Sequence, residues 1–247
     1  PTRNFKMFKN LVRKSQTLIA SIAIAASFAT VAADAQQAPS PVHSVIFTWI
    51  GDHSAILPYR KDALPAVLKQ GAIWTHLSFP DSLYGNGFDV TSVPDEMHIM
   101  RFNDIQHMQT VFSSPEYVEP SEKYFDLAFP KTVGFPAAGT DPTLGANGNF
   151  ENYFAVGLID LATTGTSADF IEAFKKAGKR FGLQGASMLT PMLPPGSGAP
   201  GLVLVSSFSD KSAYEAFMTS EAGAGFFKAN TKRYALVGGY DTKRPLT

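Results

Sequence analysis

The sequence predicts an α+β protein made of two tandem β-α-β-β-α-β units that press their sheets together, and three observations carry that prediction. A motif recurs at a constant offset of 106 residues: Phe102 falls on Phe208, Asp104 on Asp210, Ser114 on Ser220, and Val111-Phe112 on Phe217-Met218. Each half shows the same succession of period-two apolar runs and helical stripes. Between them, residues 136–150 carry Pro136, Pro142, Gly139, Gly145 and Gly148, the composition of a linker.

The elements follow in order. In the first half, residues 43–135, Val42 to Ile50 alternates β-branched and aromatic residues as a strand does. Pro58 to Gly71 reads as a helix, Ile73 to Phe79 and Glu96 to Phe102 as strands, Ile105 to Phe112 as the start of a second helix, and Thr132 to Phe135 as a short last strand. In the second half, residues 151–247, Tyr153 to Leu161 is a strand. Ser167 caps a helix with Phe170, Ile171, Phe174 and Phe181 on one face. Ala186 to Leu193 and Leu202 to Phe208 are strands, Lys211 to Phe217 begins a helix that can extend to Lys228, and Arg233 to Tyr240 closes the unit. This order is the ferredoxin-like arrangement, with both helices on one sheet face. The bare faces are apolar, so the two halves should cover each other.

Residues 1–35 read differently. From Met7 a basic start leads into the uncharged run Thr17 to Ala33, and Ala33-Asp34-Ala35 places small residues where a signal peptidase reads them. We expect a signal peptide over 1–35, with 1–6 an upstream extension, a mature tail over 36–42, and a periplasmic or secreted protein. Seventeen residues rich in Ala and Ser are short for a span of roughly 30 Å of hydrocarbon, so no stable membrane anchor is expected once the signal is removed. The remaining chain has 16 basic and 20 acidic residues, a net charge of about −4. Nucleic acid is therefore not an expected partner, because its binding needs a basic face. With no cysteine there is neither a disulfide framework nor a thiol nucleophile.

The segment Phe102-Asn103-Asp104, leading into a helix that ends Ser113-Ser114-Pro115-Glu116-Tyr117, resembles the strand-to-helix segment of the dimeric α+β barrel superfamily, particularly its DUF1330- and EthD-like members. The second half keeps Phe208-Ser209-Asp210 and Thr219-Ser220-Glu221 but lacks the Pro and Tyr. The resemblance implies a barrel that usually needs two chains, here formed within one chain, a monomer or weak homo-oligomer. By the same resemblance such barrels include cofactor-free monooxygenases, small isomerases and haem-dependent enzymes.

All five histidines and both tryptophans lie in the first half, so a site belongs mainly there. No histidine pair has metal-ligand spacing, so no metal or other cofactor is expected. His107 alone falls on a predicted helix, where a haem ligand would sit. Asp52 could orient the neighbouring His53. No Gly-x-Ser-x-Gly elbow exists, and Gly85-Asn86-Gly87 and Pro194-Pro195-Gly196-Ser197-Gly198 read as hairpin loops. Tyr117, Glu119, Glu122, Lys123 and Tyr124 read as the solvated side of a helix.

Strand parity places His98 and Arg101 on opposite faces of one strand. One face meets the helices; a polar residue on the other would point into the barrel. The expected site is a small, largely apolar cavity in the first half, with His98 or Arg101 as the polar contact and His76, Trp49 and Trp74 near it. Three function classes stay open: a binder of a small apolar ligand, a cofactor-independent monooxygenase or isomerase, and a structural module with a filled barrel.

Overall fold

In a computed structural model the described residues are 41–139, 153–162, 165–193 and 197–241. The expected signal segment, much of the linker and part of the Pro194 to Gly198 loop lie outside them.

The first half runs β1 (Val42–Trp49), α1 (His53–Lys69), β2 (Ile73–Gly85), β3 (Glu96–Phe102), α2 (Ile105–Ser113), α3 (Pro115–Ala128) and β4 (Lys131–Ala138). The second runs β5 (Tyr153–Leu161), α4 (Ser167–Gly178), β6 (Leu183–Pro191), β7 (Leu202–Phe208), α5 (Lys211–Thr219), α6 (Glu221–Asn230) and β8 (Thr231–Asp241). All pairings are antiparallel and close into one barrel, β1-β3-β2-β8-β5-β7-β6-β4. Each half contributes the order 4-1-3-2, and the halves join edge to edge at β2–β8 and β4–β6. The expected pair of facing sheets is thus the two sides of a single barrel.

Several elements exceed their expected bounds for identifiable reasons. Helix α1 begins at His53 because the Asp52 carboxylate accepts from Ser54 N at 2.8 Å, capping the first turn. That is the role of Asp52, and His53 is exposed. Strand β2 continues to Gly85 because its second part pairs with β8 of the other half, past a bulge at Pro80/Ser82. Thr166, not Ser167, caps α4 in a reciprocal pair with Asp169. The last helix of each half breaks in two at a serine, Ser114 or Ser220, whose extended backbone cannot continue the helix.

The two seams differ in length. The β2–β8 ladder aligns Ser78 with Asp241 through to Gly85 with Ala235. Among the described residues the β4–β6 ladder aligns Ala137 with Pro191 and Ala138 with Thr190, followed by a Met192 N–H to Pro136 O bond of 2.9 Å.

Alternation sorts the side chains. Val45, Phe47, Met97, Ile99, Val156 and Leu158 point inward and fill the barrel with buried hydrocarbon. Outside the barrel, the second half buries Phe170, Phe174, Tyr214, Phe217 and Phe227 between sheet and helices.

Candidate functional site

Open space is found outside this inward layer. A cavity of about 270 Å³ sits between the outer faces of β1, β3 and β4 and helices α1, α2 and α3. It is in the first half, as expected, but on the helical side of the sheet. Its walls are mostly apolar: Ile46, Leu64, Val67, Met100, Met108, Phe112 and Phe125.

The polar end is built by three elements. From α1, the Arg60 guanidinium pairs with Oε1 of Glu96. Glu96 opens β3 and is 1% exposed; its Oε2 lies 3.1 Å from His98 Nε2, two residues along on the same strand face. Burial, then the Arg60 charge, lowers the His98 pKa to about 4. The imidazole is therefore neutral at physiological pH. Its Nε2–H donates to the carboxylate, which leaves Nδ1 as the basic nitrogen. The Trp74 ring stands 6.1 Å from His98. Thr48 and Thr132, paired across β1 and β4, also line the space. Their Oγ1 atoms and Trp74 Nε1 are buried with no hydrogen-bond partner among the described residues. Tyr59 and Tyr117 line it too, and burial raises both phenols above their ordinary range, which keeps them protonated.

Of the residues singled out by sequence, His98 and Trp74 line this cavity. Arg101, His76 and Trp49 do not, because each sits on the inward face of its strand. Arg101 lies opposite His43 in the β1–β3 register. His76 follows a bulge that sets it beside Ile99, and its ring stacks on Phe154 with centroids 5.5 Å apart. Trp49 donates from Nε1 to Ser92 Oγ at 2.9 Å, with Lys131 Nζ 4.0 Å from its ring centre. His107 is structural: Nδ1 accepts from Asn103 N at 3.1 Å, and Nε2 meets Gln70 O at 2.7 Å, so neither ring nitrogen is left for a ligand. Of the residues read as a solvated helix side, Glu119, Glu122 and Lys123 are exposed, whereas Tyr117 turns inward because α3 packs on α1.

Arg60 and Glu96 are the site residues that the sequence reading passed over. Signals for both exist: Arg60, Leu64 and Val67 recur at helical spacing, and Glu96 shares strand parity with His98. Among the described residues, no group of three or more His, Asp or Glu side chains converges as a metal site would require.

The second half shows what the same architecture does without a site. Matched ladder positions set Thr48, Glu96 and His98 against Ile159, Leu202 and Leu204. On the last strands, Thr132 and Gly134 correspond to Tyr234 and Leu236. Counted from the start of each helix, Arg60 corresponds to Phe174. Every polar or small residue that shapes the first cavity thus has a larger or apolar counterpart, and the equivalent volume is packed with aromatic rings.

A closed antiparallel barrel with helices outside each half defines an α+β barrel protein, with a polar-ended cavity under the helical layer of its first half. No protein-family model matches the chain, and no curated protein matches it in sequence. Solved structures share the fold. An anthrone oxidase-like protein aligns over 84% of this chain and 92% of its own with a TM-score of 0.54 and 10% identity. A chlorite dismutase variant from Candidatus Nitrospira defluvii aligns over 81% and 91% with a TM-score of 0.52, also at 10% identity. These likenesses show the α+β barrel fold.

Proposed function

We propose that the protein binds a small, largely apolar ligand in the first-half cavity, with His98, Arg60 and Glu96 at its polar end. One observation carries this reading. The fold packs the same space with Phe174, Leu202 and Leu204 in its second half, yet in the first it buries an ion pair and a neutral imidazole beside an open volume. A buried charged pair is a poor source of stability compared with hydrocarbon, and a cavity forfeits packing. Their coincidence points to a ligand.

Native mass spectrometry, together with thermal shift against a panel of one- and two-ring compounds, tests the reading. Wild type should retain or bind such compounds. Gly134→Leu, which carries the β8 residue into the cavity wall, should not. Equal binding by both proteins would overturn the assignment.

A second reading, a cofactor-independent monooxygenase or isomerase, is favoured by the state of His98. A neutral imidazole oriented by a carboxylate can take a proton from an acidic C–H or O–H. The name of the anthrone oxidase-like neighbour is compatible with that chemistry. Turnover lost in His98→Leu with ligand binding retained would select it.

The same proposal includes the finer likeness to DUF1330- and EthD-like proteins, supported by the Phe102-Asn103-Asp104 and Ser114-Pro115-Glu116-Tyr117 segments. It also includes export: the basic start, apolar run and Ala33-Asp34-Ala35 site support a mature chain beginning near Gln36. Among the described residues no helix is long and apolar enough to cross a membrane. N-terminal sequencing of exported material should read from Gln36 or close to it; recovery of residues 7–35 would count against processing.

A further inference from the structure

The cavity balances its own charge. Arg60 and Glu96 are the two lining residues that carry a formal charge, and they pair with each other. Both oxygens of the Glu96 carboxylate are engaged: Oε1 meets Arg60 and Oε2 meets His98, with the side chain almost wholly out of solvent. The rest of the wall is hydrocarbon, aromatic ring, hydroxyl or indole.

We infer that Glu96 sets the charge selectivity of this site, restricting it to neutral ligands that carry a hydroxyl or similar uncharged polar group. The inference rests on reading the cavity as a ligand site. An anion drawn to Arg60 would also lie within a few ångströms of the Glu96 carboxylate, so attraction and repulsion nearly cancel. It would have shed its water without finding compensation. A cation meets the reverse arrangement with the same result. A neutral hydroxyl compound incurs neither penalty. It can donate to His98 Nδ1, and its oxygen can accept from Trp74 Nε1 or a threonine hydroxyl, which are otherwise unpartnered.

The arrangement makes a directional prediction. In Glu96→Gln the shape is kept while Arg60 becomes an uncompensated, largely buried cation at the polar end of an apolar cavity. The preference should then pass from neutral molecules to anions, because the charge that repelled them is gone and the one that attracts them remains.

The experiment compares 2-naphthol and 2-naphthoate, close in size, near neutral pH, where the first is uncharged and the second ionised. Titration calorimetry or Trp fluorescence supplies the dissociation constants. Wild type should bind 2-naphthol at least tenfold more tightly than 2-naphthoate, and Glu96→Gln should reverse the order. If wild type favours the carboxylate, or if the ratio is the same in both proteins, the charge rule is wrong while the cavity still binds. If neither compound binds wild type, the ligand-site reading itself fails.

A second measurement needs no variant. At a pH where free 4-nitrophenol is half ionised, wild type should take up the colourless phenol and lower the phenolate absorbance. A rise in that absorbance on adding protein would overturn the proposal even if Glu96→Gln does not fold.

Discussion

Replacing Phe174 by alanine tests the contrast between a packed and an open half. Phe174 is fully buried, and its ring lies 5.6 Å from Phe217, 5.8 Å from Phe226 and 6.0 Å from Phe227, centre to centre. Four neighbouring rings, Phe170 included, would have to collapse together to refill its volume, and the α4 backbone holds them apart. The substitution should therefore fall at the upper part of the usual range for a buried Phe, about 4 kcal/mol. Lost edge-to-face contacts are included in that figure. For a domain of this length the loss lowers Tm by roughly 10 °C. Phe112→Ala in the first half is the control: Phe112 borders an existing cavity and is partly exposed, so truncation there should cost about 2 kcal/mol or less. Urea unfolding followed by circular dichroism measures both. A Phe174→Ala cost equal to that of Phe112→Ala would refute the claim that the second half is filled. Binding of an apolar probe to a new second-half cavity in Phe174→Ala would support it.

Three further outcomes are expected. Arg60→Met leaves Glu96 buried without its cation and should destabilise by about 3–5 kcal/mol, whereas Arg60→Met/Glu96→Leu should recover most of that loss, which a double-mutant cycle measures. His98, its pKa lowered to about 4 from 6.5, binds a proton more readily unfolded than folded. Its contribution to stability is therefore full above about pH 6.5 and lost as pH falls towards 4, up to about 3 kcal/mol with the Glu96 carboxylate opposing; His98→Leu should flatten unfolding curves in that window. Asp81→Asn should weaken the β2–β8 seam by roughly 1–2 kcal/mol, mainly through the Tyr153 phenol that donates to this carboxylate, since the half-exposed Lys211 pair at 2.9 Å adds little. A loss confined to low salt, where the exposed ion pair is least screened, would contradict that division.

Much of the fold was legible because its signals are local. Strands β5 and β7 are near-continuous apolar runs buried on both faces, and the Asp104 and Asp210 caps mark where the last helical segment of each half begins. The extension of β2 was not legible, since Pro80 to Gly85 becomes strand by pairing with residues 150 or more positions away. The site was read halfway. Parity placed His98 and Met100 together, but it does not say which face of β3 the helices cover, and Arg101 looked equally suited. Trp49 and His76 were chosen by residue type, and their inward register sets them inside the barrel, away from this cavity. Arg60 escaped because a charge on a helix beginning near Pro58 looks solvated until α3 covers it. A cavity is a deficit of volume among several elements, and no single segment encodes it.

The unequal seams bear on how this barrel moves. Two aligned pairs and one following bond are little to hold β4 against β6, whereas the opposite junction is long and bulged but continuous. The barrel should therefore open like a book, with β2–β8 as its spine and β4–β6 as the fore-edge. Strand β4 also forms a wall of the cavity through Thr132, Gly134 and Pro136, so early amide exchange at Ala137 and Ala138 should report a loosening that reaches the edge of that wall. A chain caught open there can complete its barrel with the corresponding edge of another copy, and the resulting exchanged dimer would keep both cavities intact.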